Sequence, residues 1–430
     1  MYDKDLQRLE QTLKTCVSPY HCIGESTKQL QAAGFEELAL ADRWKLVRGR
    51  RYYVSIFDSS LMAFAVGENL GENPTIRMAA AHTDWPCLKA KPSPEVQTNR
   101  YGKLNIEIYG GPILSTWLDR PLSAAGKVCL NGADPFHPIT RFVDLGRPIA
   151  IVPNLAIHMN REVNDGVKLN PQVDMLPLLT ILDDQMNREN YFLNLLAEEC
   201  GCASEDILDY EMYFYNLDGY TTVGLNEELY SGPRLDNITS VQACLTGIIE
   251  GRSDTGIQVA ALYDHEEVGS RTKQGALSAV TERILEKVYL SLGYDRETWL
   301  NGMLDGFLLS LDVAHAMHPN HVEKCDIKNQ ILPGDGIAIK MAAAQSYATD
   351  ATAVSVIESI CKKAQIPYQK FSNRSDLRGG STLGAISSSL LAMKAVDVGV
   401  PILAMHSARE LMGTKDQAAL VALTTQFFLV

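Results

Sequence analysis

The chain is poor in everything that would place it outside the cell, in a bilayer or on nucleic acid. Its nine cysteines, an odd number, include no C-x-x-C pair, and Cys200-Gly-Cys202 is the nearest approach to one. That pattern argues against both a cysteine-built zinc site and a disulfide framework, so reduced thiols are expected. No window reaches the roughly 18 to 20 uninterrupted apolar residues of a membrane span. The opening residues Met1-Tyr-Asp-Lys-Asp-Leu-Gln-Arg8 are charged and lack the apolar stretch of a secretory signal, so a cytoplasmic location is expected. Basic residues are in the minority, 39 Lys and Arg against 52 Asp and Glu, and the net charge of −13 leaves no basic face for phosphates. Neither G-x-x-x-x-G-K-[ST] nor G-x-G-x-x-G occurs, which argues against a nucleotide, and the absence of G-x-S-x-G argues against a serine hydrolase.

What is present is a set of short apolar runs that end in metal-binding side chains. They read Met78-Ala-Ala-Ala-His82-Thr-Asp84, Val259-Ala-Ala-Leu-Tyr-Asp-His-Glu266-Glu267, Phe307-Leu-Leu-Ser-Leu-Asp312-Val-Ala-His315 and Pro401-Ile-Leu-Ala-Met-His406. Unbroken apolar stretches of this length are the pattern of buried parallel strands. In an open α/β sheet, ligands and catalytic groups gather beyond the carboxyl ends of the strands. The four runs therefore predict one crevice in which residues far apart in sequence converge.

At 430 residues the chain exceeds one ordinary core, since single cores stop growing at roughly 250 to 300 residues. Apolar residues at helical spacing over 5–33 predict one or two helices, followed by strands over 52–57 and 61–67. From about Pro92 the texture changes to β-rich pieces such as Lys103-Leu-Asn-Ile-Glu-Ile-Tyr109, separated by Gly, Pro and Asn turns. After Pro233 strand and helix alternate again, with helices expected over 237–251, 280–292, 351–364 and 381–395. The fold class expected is α/β: a mixed, largely parallel sheet flanked by helices. It is built from 1–92 plus 232–430 and interrupted by a β-rich domain over 93–231.

His82, Asp236, Glu267, Asp312 and His406 offer imidazole nitrogen and carboxylate oxygen, the donors zinc and similar ions take. Five protein ligands exceed the need of one catalytic zinc and suit two ions sharing a carboxylate, an arrangement for which aminopeptidases are a general example. Alternation along His82-Thr83-Asp84 puts the first and third side chains on one face, so Asp84 is placed to accept the second imidazole N–H. Adjacent acids such as Glu266 and Glu267 are ordinary on a surface. Their position after the Val259–Tyr263 run instead predicts one as a ligand and the other as general base toward water. His315 and His318 are candidates to touch substrate, while His265 reads as structural. The Gly379-Gly380-Ser-Thr-Leu-Gly384 loop opens an apolar helix, so Gly380 is expected to border a substrate pocket.

These segments, together with Arg234-Leu-Asp-Asn237 and Ala404-Met-His-Ser-Ala-Arg-Glu410, resemble the M18 metallopeptidases, a family typified by aspartyl aminopeptidase. They recur in the family's order across nearly the whole chain. The resemblance implies that Asp236 bridges two divalent ions, zinc first among them, with His82 and Glu267 completing one site and Asp312 and His406 the other. It puts Glu266 at the base position and implies a cis bond between Asp236 and Asn237. It also implies that His158, in the inserted domain, reaches a neighbouring subunit's site, and that Lys340 meets an acidic substrate side chain. A homo-oligomer, a tetrahedral dodecamer, and a peptide substrate with N-terminal Asp or Glu follow from it. Leu377 and Arg378 in the glycine-loop segment and Trp85 after His-Thr-Asp depart from the aspartyl form. A neutral-residue aminopeptidase, a related carboxypeptidase or deacylase, and a non-catalytic scaffold are the alternatives.

Overall fold

The computed structural model describes residues 3–183 and 189–430. The chain packs as two compact units. The first comprises the residues up to Asp84 with Tyr220–Met405 and Glu410–Val430, and the second comprises Trp85–Gly219 with His406–Arg409. The changeovers thus fall at 84/85 and 219/220, where 92/93 and 231/232 were expected.

The first unit is a mixed α/β layer structure. Among the described residues its main sheet has nine strands, in the order Glu36–Glu37, Arg51–Ile56, Ser60–Val66, Ile257–Tyr263, Ile76–His82, Phe307–Leu311, Lys394–Gly399, Ile337–Met341 and Tyr368–Ser372. The three runs that end in His82, Glu266 and Asp312 are neighbours at its centre and run parallel, with Tyr263 paired to His82 and Ser310 to Ala80. Antiparallel pairs join Ser60–Val66 to Ile257–Tyr263 and Ile337–Met341 to Lys394–Gly399. The central strands are buried along almost their whole length, as strands covered on both faces must be. Met78, Ala80, Val259, Ala261 and Leu308 belong to a core cluster that also holds Ile284, Leu285 and Val288 of the Val280–Ser291 helix.

The 5–33 segment forms two helices, Lys4–Thr15 and Pro19–Ala32. They are separated where Ser18 caps the second with its hydroxyl on the His21 N–H and Pro19 takes the first helical position.

Two expectations are corrected. The helix expected over 381–395 is only Leu383–Leu391. Ala392, in the left-handed region at φ 52°, ends it, and Lys394–Gly399 forms a main-sheet strand whose Val396 and Val398 are buried. The Pro401 run, in turn, is not a main-sheet strand. Pro401–Leu403 lies in a separate five-stranded sheet beside Ala314–His315 and Glu410–Gly413.

The second unit is β-rich and antiparallel. Among the described residues its six strands run in the order His137–Asp144, Leu122–Asp134, Ile207–Asn216, Cys87–Thr98, Tyr101–Tyr109 and Leu178–Ile181. Along Tyr101–Tyr109, Leu104 and Ile106 point inward while Lys103, Asn105 and Glu107 are more open, the alternation of a sheet with one wet face. Among the described residues no helix is long and apolar enough to cross a membrane.

Candidate active site

The main sheet delivers its chemistry at the carboxyl ends of its three central strands. His82 is the last residue of Ile76–His82 and only 1% exposed. Its Nδ1 is 3.0 Å from the Asp84 carbonyl oxygen, so the nitrogen that carries hydrogen there donates to that oxygen and Nε2 is left toward the acids. Nε2 stands 3.5 Å from Asp236 Oδ1 and 3.6 Å from Asp312 Oδ1. Burial alone would push the imidazole pKa down, but the Asp312 and Asp84 carboxylates outweigh it and hold it well above the usual value.

Asp84 lies beside His82 and has a second task. Its carboxylate oxygen is 3.4 Å from His82 Nδ1, farther than its own carbonyl. The two carboxylate oxygens also accept the backbone N–H groups of Glu266 at 3.2 Å and Glu267 at 3.1 Å. Asp84 is therefore a brace under the turn that carries both acids. That turn is a short 3₁₀ segment, Glu266–Val268, entered through His265 at φ 62° and left through Gly269 at φ 97°. The His265 Nδ1 lies 2.8 Å from Thr272 Oγ1.

Asp236 sits at the start of the Leu235–Glu250 helix but is itself non-helical, and the bond to Asn237 is cis, as the resemblance implied. Its N–H donates to Glu410 Oε2 at 2.9 Å, and Asn237 Nδ2 donates to the Leu311 carbonyl at 2.9 Å. Glu410, 2% exposed, thus fixes the backbone at Asp236. Glu410 closes the Ala404–Glu410 segment, where the sequence pattern alone assigns it no task. Its signal was an acid opening the buried Glu410–Gly413 strand.

Ligand atoms of His82, Asp236 and Asp312 lie within 4.8 Å of one another, as do those of His82, Glu266 and Glu267. So many carboxylates around one buried imidazole repel each other. Burial and then the neighbouring Asp312, Asp84 and Asp236 charges push Glu266 up to about 8, and burial with Asp236 raises Glu267 well above the usual range. Asp312 goes the other way: burial would raise it, but the Lys340 ammonium and His82 bring it down to about 2. A divalent cation suits this donor set because it relieves the repulsion that otherwise keeps protons on the glutamates.

Lys340 is a buried lysine of the Ile337–Met341 strand. It is 2% exposed, with Nζ donating to the Val313 carbonyl at 3.0 Å and lying 3.2 Å from Asp312 Oδ2 and 5.1 Å from the Tyr347 ring centre. Its charge is already committed to Asp312. His315 is largely exposed, its ring edge-on to Phe371 at 4.8 Å. Gly380 is exposed with open space where a side chain would stand, so packing does not require glycine there. His406, at φ 65° just after the first unit's Met405, packs with the second unit, its Nδ1 3.1 Å from the Gly111 carbonyl. His158 is exposed on a turn of the same unit.

Residues 12–428 match the family described as Aminopeptidase I zinc metalloprotease (M18). The chain belongs to the M18 family of zinc aminopeptidases. A probable M18 family aminopeptidase 2 of Clostridium acetobutylicum is 44% identical over 400 residues, covering 93% of this chain and 92% of the relative. A chain in the cryo-EM structure of the Ape4 and Nbr1 complex superposes with a TM-score of 0.95 at 29% identity, over 99% of this chain and 85% of that one. The S. cerevisiae mApe1 dodecamer shares the fold, with a TM-score of 0.85 at 22% identity over 99% and 96% of the two chains. This M18 member is thus a metalloaminopeptidase, a hydrolase acting on peptides.

Proposed function

We propose that the enzyme releases N-terminal residues from peptides with two divalent ions, zinc in the native protein, held by His82, Asp236, Glu267, Asp312 and His406. Asp236 is the shared ligand and Glu266 the general base. Ions so bound supply Lewis-acid polarisation of the scissile carbonyl and a lowered pKa for water. The chain's own part is positional. Asp84 holds the Glu266–Glu267 turn by both N–H groups, and Glu410 holds Asp236 by its backbone. Glu266 takes a proton from the attacking water and returns it to the leaving amine.

The observation that carries this reading is the Glu266 carboxyl. It lies within ligand distance of His82 and Glu267 on a turn braced by Asp84, with a proton affinity already shifted toward neutrality. The test is a panel of free and N-acetylated peptides, with metal content measured on the same sample. Release of residues from free peptides only, with two equivalents of metal, is expected. Cleavage of the acetylated set, or release from the carboxyl end, overturns it in favour of a deacylase or carboxypeptidase.

Preference for N-terminal Asp or Glu belongs to the same proposal and rests on the resemblance to the aspartyl form. The specific observation that favours neutral residues instead is Lys340, whose ammonium is buried against Asp312. The panel decides between them: faster release of Leu or Ala than of Asp or Glu removes the acidic reading and leaves the metallopeptidase intact.

The assembly proposed is a homo-oligomer, the tetrahedral dodecamer, in which the inserted domain over 93–231 makes subunit contacts and His158 reaches a neighbour's site. It is supported by the dodecamer of mApe1, and by apolar side chains open in the His158 segment, Leu155 at 59% and Met159 at 73% exposure. Light scattering of the purified chain tests it, and a monomer refutes it. The nine cysteines are all free thiols, which supports the cytoplasmic location.

A further inference from the structure

Asp397 is a buried acid that the proposed mechanism does not use. It is the central acid of the Lys394–Gly399 strand, 0% exposed, and its register partners are Lys340 on the antiparallel side and Ser310 on the parallel side. Its carboxylate gathers two loops: Oδ1 accepts the Thr382 hydroxyl at 2.6 Å and Oδ2 accepts the Ala348 N–H at 2.6 Å. Its own N–H donates to Thr349 Oγ1 at 3.0 Å. Thr382 stands at the N-cap of the Leu383–Leu391 helix yet spends its hydroxyl on Asp397 rather than on the helix. A Cβ at Gly384 would meet Asp397 Oδ1 at 2.5 Å and Ser310 Oγ at 2.6 Å, so the last glycine of the loop makes room for this carboxylate.

Across the strand pair, Lys340 points its ammonium at Asp312 Oδ2, 3.2 Å away, while Asp312 Oδ1 faces His82 Nε2 at 3.6 Å. The lysine therefore occupies one oxygen of Asp312 and turns the other toward the cluster. With both carboxylates ionised, Asp312, Lys340 and Asp397 form a buried trio with a net of one negative charge; burial pushes the Asp397 carboxyl up, and the Lys340 ammonium and the Thr382 and Ala348 hydrogen bonds oppose that push. Without Asp397 the same lysine would neutralise Asp312 outright and compete with a cation for it.

We propose that Asp397 is a positioning residue for the metal centre: facing Lys340 from the neighbouring strand, it keeps the Asp312–Lys340–Asp397 trio at a net charge of one negative and Asp312 oriented to offer a single oxygen. The idea rests on Asp312 being a metal ligand, as proposed above. A buried partner of this kind typically changes metal affinity by roughly 10- to 100-fold.

The test is zinc titration of the chelator-stripped full-length protein, with zinc as the probe and thermal unfolding run in parallel. Asp397→Asn keeps an acceptor for the Ala348 N–H and turns an amide N–H toward the Thr382 hydroxyl, which then accepts, while removing the charge. It is expected to fold, and to bind zinc at one site at least about tenfold more weakly. The double variant Lys340→Met with Asp397→Asn restores the net single negative charge and is expected to recover affinity relative to Asp397→Asn. Zinc affinity within about twofold of wild type for Asp397→Asn, or a double variant no better than the single one, overturns the proposal. Failure of Asp397→Asn to fold also overturns it, because a purely structural acid would behave so. Asp312→Asn separates the two levels: if it keeps its zinc, the ligand assignment fails, and if it loses zinc while Asp397→Asn does not, only the positioning role fails.

Discussion

The two units of this chain bury their strands in opposite ways. In the first unit Ile76–His82, Ile257–Tyr263 and Phe307–Leu311 are covered on both faces, so nearly every side chain along them is packing. In the second unit Tyr101–Tyr109 alternates buried with open positions, and His137–Asp144 is exposed along most of its length. A strand with no wet face has only its ends left for chemistry, and His82, the Glu266–Glu267 turn and Asp312 all stand at such ends. A strand with one wet face offers a surface, as Tyr101–Tyr109 and His137–Asp144 do.

The contrast is broken most decisively at the end of a buried strand. Glu266→Gln is expected to keep both metals and lower kcat by about 10² to 10⁴-fold, since the amide keeps the shape but cannot take the proton. Peptide release and metal content measured on one preparation check this. Activity within about tenfold of wild type would remove Glu266 from the base position.

Inside the same strands the expected cost is in stability rather than chemistry. Leu308 is 0% exposed within the core cluster, and Leu308→Ala should destabilise the fold by about 2 to 5 kcal/mol. Denaturant unfolding measures it, and a loss under about 1 kcal/mol would mean the strand is less tightly covered than its burial indicates.

The pH dependence of the metal-free protein follows from the acids at the strand ends. Glu266, raised to about 8, contributes stability that is fully present below its ordinary 4.5 and is lost as pH rises toward 8, and Glu267 shifts in the same direction. Asp312, lowered to about 2, contributes only above its ordinary 3.8 and so is constant across that window. In chelator, Tm should therefore fall between about pH 5 and 8, and added zinc should flatten the fall by binding the ionised carboxylates. A chelated protein whose Tm is level or rises across this window would contradict the crowding of charges at His82.

What the sequence disclosed follows the same contrast. Ends of apolar runs are legible because the run fixes both the burial and the exit point, so His82, Glu266, Glu267 and Asp312 were singled out from pattern alone. Side chains whose task depends on the neighbouring strand were not. Lys340 and Asp397 belong to strands whose register with each other only the folded sheet decides. Asp397 carried one signal, an acid inside Ala395-Val-Asp-Val-Gly399. It was hidden because Ala- and Leu-rich residues before it suggested a helix reaching 395. Alternation places the Asp84 carboxylate on the His82 face, 3.4 Å from Nδ1, but cannot show that its two oxygens also accept the Glu266 and Glu267 N–H groups.

The smallest expected effect lies on the wet face of the second unit. Ile139 is 43% exposed on His137–Asp144, which is the outermost strand in the order of that sheet. Removing its outer carbons leaves no enclosed cavity, so Ile139→Ala should change the stability of the isolated chain by no more than about 0.5 kcal/mol, against the several expected at Leu308. Running the same denaturant titration at low and high protein concentration sharpens the comparison. If this face is open in the assembled protein, the two titrations agree. A loss above about 1 kcal/mol that appears only at high concentration would show that Ile139 is covered by a second copy of the chain. The surface of the second unit would then be packing too, completed between subunits instead of within one.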